Sequence, residues 1–220
     1  NGYPEARIVH RLDWETSGLL VIARNPDAQY RNELTVDEVN RARPIAEPFT
    51  LLHCCPSGDG AAAAVICSAA IAKRSGATPV RVAGSEINSG KYMTGYRDMT
   101  TPEITVRGAA EAYEMAGLGP EDIDVAEVHD CFTITEILNY EDLGFVNKGE
   151  GPSFVKSGAS KLGGALPVNT SGGLKSCGHP IGATGSILIG TMVDELERFF
   201  AGHETWFDIT PNTVANRKGT

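Results

Sequence analysis

The chain has 220 residues, 41% of them hydrophobic and 21% charged, with 25 glycines, which is enough to bury a real core as one domain or at most two. A formal net charge of -9 opposes non-specific binding to nucleic acid, which depends on cations neutralising phosphates. No apolar run approaches the roughly 20 residues that span a bilayer, the first residues are polar rather than leader-like, and five cysteines without a framework spacing imply reduced thiols in a cytoplasmic setting.

Taken in chain order, "ARIVHRL" and "GLLVIAR" read as two strands around a polar turn, with "NPDA" as punctuation after them. "LTVDEVNRARPIAEP" is a short amphipathic segment closed by prolines. "DGAAAAVICSAAIAKRSG" predicts a helix from Asp59, which would be its N-cap, with Lys73 and Arg74 in the last turn and Gly76 as the cap. "TPVRVAGSEI" follows as a β-rich run, and "TTPEITVRGAAEAYEMAGLG" as a helix capped by Thr101, with Pro102 in its first turn and Gly117 at its end. "GPEDIDVAEVHDCF" turns into a short strand ending near His129, and its acidic run is a solvated turn. "TITEILNYEDLG" reads as a helix stopping at Gly144, "PVNTSGG" as a strand end, and "ATGSILIGTMVDELERFFAG" as a helix closed by Gly202. Strands alternating with helices predict an α/β layered fold.

The stretch "VNTSGGLKSCGHPIGATG" is too rich in glycine for a core helix and too poor in charge for a solvated loop. It suggests backbone packed closely against something, with the His179 imidazole held at one point. A bland alternative is a glycine-rich turn with a structurally bonded histidine. The "EVHDCF" upstream favours the functional reading by adding a second imidazole, His129.

From about Leu34 to about Ile189 the chain resembles the thiolase superfamily, in the C-terminal half of its sterol-carrier-type and archaeal branch. The resemblance rests on "RPIAEPFTLLHCCPSGDGAAAAVI", on "AAEAYEMAGLGPEDIDVAEVHDCFTITEILNYEDLGF", on "GEG" and on "PVNTSGGLKSCGHPIGATG". It implies a mixed sheet with helices on both faces, in a half-fold that is possibly incomplete, working on acyl-coenzyme A thioesters and usually as a dimer. Coenzyme A enters as substrate, and no cofactor or metal is implied. His179 then stands at the base and oxyanion-hole position, His129 at the second oxyanion position, and Phe132 where an aromatic ring packs beside the thioester. Cys55, Ser57, Gly178 and Gly182 fall along the expected path of the substrate. The physical work at such a site is to deprotonate a thiol and stabilise a developing oxyanion, which suits imidazole. The family's nucleophilic Cys belongs to an N-terminal half that is not matched here, and no Cys follows Ile189 where a Cys-x-Gly motif is expected. Cys177 matches neither position and reads as a small residue in a tight turn. The chain alone is therefore expected not to turn over acyl-CoA at an enzymatic rate.

The two ends resemble other families. "VHRLDWETSGLLVIAR" is similar to the active-site motif of RluA-type pseudouridine synthases, which would make Asp13 a nucleophile toward uridine and Arg11 a nucleotide-holding residue. Equal numbers of basic and acidic residues over 1–32 give this head no basic surface for RNA. An ordinary strand pair with an Arg–Asp contact is the alternative. The tail "DELERFFAGHETWFDITPNTVANRKGT" faintly resembles the C-terminal end of D-2-hydroxyacid dehydrogenases, without a G-x-G-x-x-G fingerprint in support. The expected division is a head over 1–33, a thiolase-like domain over 34–189, and a helix and tail over 190–220, in a processed, excerpted or spliced chain. His129, Cys131, Cys177 and His179 also raise zinc as an alternative, set aside because neighbours two apart on a strand must share a face without a turn between them.

Overall fold

A computed structural model describes residues 7–8, 20–23, 35–75, 80–90, 98–199, 205–209 and 213–217, the strands near both ends by their backbone. Val125, Ala126, Glu127 and Val128 organise the molecule. Val125–Glu127 form the strand β7, and successive residues of a strand face opposite ways. Val125 packs with Met192 and Leu196 on one side. Ala126 and Val128 pack with Ala109, Tyr140, Leu143 and Val168 on the other. The sheet is therefore covered by helices on both faces, as the sequence predicts for an α/β layered fold.

The remaining elements follow in chain order. β1 (Arg7–Ile8) and β2 (Leu20–Ala23) are antiparallel, and β2 pairs in turn with β5 (Gly60–Ala63). Between them lie helix α1 (Val36–Arg41) and the small hairpin β3 (Pro44–Ala46) and β4 (Phe49–Thr50). Thr35 opens α1 with a reciprocal cap: Glu38 N–H donates to Thr35 Oγ1 at 3.2 Å and Thr35 N–H donates to Glu38 Oε2 at 2.7 Å. Helix α2 (Ala69–Ser75) leads to β6 (Val80–Ser85), then α3 (Glu103–Ala116) leads to β7. After β7 come α4 (Thr133–Asp142), α5 (Gly151–Ser157), α6 (Gly173–Cys177) and α7 (Thr184–Phe199). β8 (Thr205–Ile209) and β9 (Thr213–Arg217) complete a mixed sheet in the order β6-β8-β9-β7, with β6 and β8 parallel and the other pairs antiparallel.

The sequence is corrected in two places. The helix expected from Asp59 is absent at its start: Gly60–Ala63 is a strand, and only Ala69–Ser75 is helical. Alanine is the strongest helix former, but propensity is a small term per residue that tertiary pairing outweighs; here the cross-strand partner Leu20–Ala23 does so, and Asp59 caps nothing. Thr101 is not the cap of α3 either. Pro102 holds that position in extended backbone, and no side-chain cap bond is made. The expected ends fare better: Gly117 closes α3 at φ 70°, and Gly144 follows α4 at φ 80°. "PVNTSGG" contributes one bridge, Val168 to Ala126. Arg11, Asp13, Gly76 and Gly202 lie outside the described residues.

Candidate functional site

Where β7 ends, the chain turns through His129, Asp130, Cys131 and Phe132 into α4. Opposite this turn, α6 closes at Gly178 and delivers His179. The two imidazoles meet edge to face, with ring centroids 4.8 Å apart and planes at 76°. Burial, together with the positive charge of a protonated His179, holds His129 below the ordinary histidine range.

The position of His179 is fixed from several directions. Its backbone N–H donates to Pro56 O at 3.0 Å, and its backbone bridges to Ser57. Its Nδ1 lies 2.8 Å from Thr184 Oγ1, while that hydroxyl donates to Pro180 O at 3.1 Å. A hydroxyl has one proton, and a carbonyl can only accept. The network therefore assigns the Nδ1 proton to His179, with Thr184 Oγ1 accepting it and Nε2 left basic. His129 is held through its carbonyl, which accepts from Asn139 Nδ2 at 3.2 Å on α4.

Residues 53–57 form the third wall. Cys54 bridges to Phe132, and Cys55 N–H donates to Cys131 O at 2.9 Å. The Lys175 ammonium donates to the Cys54 carbonyl. Burial pushes the Cys55 thiol up, and it lowers the Lys175 ammonium. The Phe132 side chain remains 43% exposed. A concavity of about 450 Å³ opens between Gly58–Ala62 and Pro180–Ala183, and Gly182 lines it. The structure thus brings His129, His179, Phe132, Cys55, Ser57 and Gly178 into one neighbourhood, while Gly182 lines a concavity to which neither imidazole contributes.

Two buried carboxylates flank His129 in sequence. Glu127 is fully buried and accepts from Thr170 Oγ1 at 3.1 Å, Ser171 N–H at 2.9 Å and Ser171 Oγ at 2.8 Å. Burial pushes its carboxyl up to about 7 despite those bonds. Asp130, 2% exposed, accepts from Leu174 N–H at 2.7 Å, and burial raises its carboxyl too. Glu127, Thr184 and Lys175 are site neighbours that sequence reasoning misses. The available signal for Glu127 was a lone acid inside the apolar run "VAEV". No group of three or more His, Cys, Asp or Glu among the described residues is arranged to hold a metal ion.

Comparison with known proteins gives the family. The family profile described as "Thiolase C-terminal domain-like" matches residues 85–199, from the end of β6 to the end of α7. This chain belongs to the thiolase superfamily. Its thiolase half is 43% identical over 181 residues to benzoylsuccinyl-CoA thiolase subunit BbsB of Thauera aromatica, covering 82% of this chain and 47% of that protein. It is 48% identical over 164 residues to an acetyl-CoA acetyltransferase of Methanothermobacter thermautotrophicus, covering 74% of this chain and 43% of that one. It is 39% identical over 170 residues to sterol carrier protein 2 of Homo sapiens, covering 73% and 30%. Among solved structures, the Ltp2–ChsH2(DUF35) aldolase superposes with a TM-score of 0.71 at 25% identity, covering 86% of this chain and 52% of the other. The chain therefore spans about half the length, or less, of the relatives it matches. No helix among the described residues is long and apolar enough to cross a membrane.

Proposed function

We propose that this thiolase half binds acyl-coenzyme A thioesters and supplies the acid–base and oxyanion-stabilising groups for acyl transfer at 3-oxoacyl-CoA, by thiolysis or Claisen condensation. The observation that carries the reading is the imidazole pair, with His179 Nδ1 occupied by Thr184 so that Nε2 remains for the reacting atoms. In this reading neutral His179 takes the proton from an attacking thiol at Nε2. His129 faces the same space and donates to the thioester oxygen as negative charge develops there. Phe132 packs an apolar face beside the acyl group, while Cys55, Ser57, Gly178 and Gly182 border the pantetheine arm. The names of the relatives support the substrate class, since two name a coenzyme A ester.

The test is calorimetric titration of the chain with acetoacetyl-CoA. Saturable binding that weakens about tenfold in His179→Ala and in His129→Ala, as expected for one lost bond of about 1.4 kcal/mol, sustains the reading. Absence of saturable binding, or wild-type affinity in both variants, overturns it for this chain.

A further inference from the structure

Glu127 and Asp130 flank His129 in sequence, and both reach across to the segment that leads to His179. Glu127 grips its first part at Thr170 and Ser171. Asp130 grips the first turn of α6 at Leu174 N–H, 2.7 Å away. From that turn the chain runs to Gly178, whose N–H donates to Leu174 O at 2.9 Å, and then to His179. The backbone beneath Asp130 is shaped for this contact. Gly173 has φ +64°, and a Cβ built there would lie 2.7 Å from Asp130 Cγ. A side chain at 173 would displace either the carboxylate or the helix. Asp130 thus joins the backbone next to one imidazole to the backbone five residues before the other.

We propose that Asp130 is a positioning residue that fixes the edge-to-face spacing of His129 and His179. It acts through the α6 backbone, by its bond from Leu174 N–H. A bond from backbone N–H to a carboxylate is charge-assisted and roughly twice as strong as a neutral one. Its buried acceptor also has little alternative solvation, so losing it frees α6 to move. The inference rests on the imidazole pair being the working site.

The experiment is proton NMR of the full chain, with the ring signals assigned through His129→Gln and His179→Gln. The wild-type chain is expected to give a ring-to-ring nuclear Overhauser contact between His129 and His179 and a His129 titration midpoint below the ordinary histidine range. Asp130→Ala is expected to abolish the contact and move the His129 midpoint upward. The direction discriminates between mechanisms. Removing a nearby negative charge alone lowers a histidine midpoint, whereas moving His129 away from His179 and into water raises it. Asp130→Asn, whose amide oxygen still accepts from Leu174, should fall between the wild type and the alanine variant. A retained contact with an unmoved or lowered His129 midpoint in folded Asp130→Ala overturns the proposal. Should that variant fail to fold, the same two readings in Asp130→Asn decide it: a weakened contact with an upward shift supports the proposal, and spectra identical to the wild type overturn it. Neither readout needs a thioester, so absence of CoA binding with an Asp130-dependent ring pair would remove the proposed function and leave the placement standing.

Discussion

Residues 103–199 hold the buried aliphatic core, whereas residues 44–75 bury no aliphatic side chain. In the first stretch Leu174, Leu188, Met192 and Leu196 are each 3% exposed or less, and in the second Val65 and Ile66 are 73% and 80% exposed. Yet the second stretch supplies one wall of the imidazole site, and it does so mainly through its main chain, by way of Cys54, Cys55, Pro56 and Ser57. One region is held by area removed from water, which is non-directional and strong in sum. The other is held by a few directional bonds, each of modest net worth. A functional wall attached in the second way is set in register by its partner and contributes little to global stability.

The largest expected effect tests the packed region. Leu196→Ala leaves a cavity beside Val125 and Met192 and should lower stability in urea denaturation by about 2–5 kcal/mol. A loss under about 1 kcal/mol would mean that α7 is not clamped to the sheet.

The next is a pH dependence lodged in the same region. The Glu127 carboxyl sits at about 7 in the folded chain against an ordinary 4.5. Below 4.5 both states hold the proton, so the group has no effect on stability there. As pH rises from 4.5 to 7 the unfolded chain releases its proton while the folded chain keeps it, so stability falls, then levels off above 7. The full fall from this group is about 3 kcal/mol. Asp130 and Glu136, also raised by burial, push in the same direction. Glu127→Gln removes the titrating group, so its stability relative to the wild type should rise between pH 5 and pH 8. Equal differences at the two pH values would place Glu127 in a wetter setting.

A smaller effect is expected where the regions join. Lys175→Met removes the ammonium bond to the Cys54 carbonyl. Amide exchange at Cys55 should accelerate about tenfold, equivalent to about 1.4 kcal/mol of local opening, with the global urea midpoint little changed. A shift of the global midpoint instead would make the 53–57 wall part of the core. The smallest effect is Ile66→Ser, which should stay within about 0.5 kcal/mol of the wild type because that side chain already faces water. A larger loss would show that the exposed stretch is covered in solution.

Much of the layered half was legible because its signals are local. The "EVHDCF" and "GHP" stretches gave the two imidazoles by residue type. Gly117 and Gly144 marked helix ends because each adopts a positive φ that other residues resist. The alanine run after Asp59 misled for the opposite reason. Its conformation depends on Leu20–Ala23 lying alongside, and no local pattern announces a distant strand partner.

By itself the sequence determined the α/β order of elements, the histidines at 129 and 179, and the resemblance to the thiolase half, all carried by short contiguous patterns. Only the tertiary structure decided that the two imidazoles stand 4.8 Å apart, that Thr184 sets the tautomer of His179, and that Glu127 and Asp130 hold the intervening segment. The imidazole pair and the two carboxylate contacts join separate stretches, and their distances and burial exist only once the chain is packed. The two carboxylates reach partners 44 residues away in sequence, and a separation of that size carries no periodicity for a sequence to display.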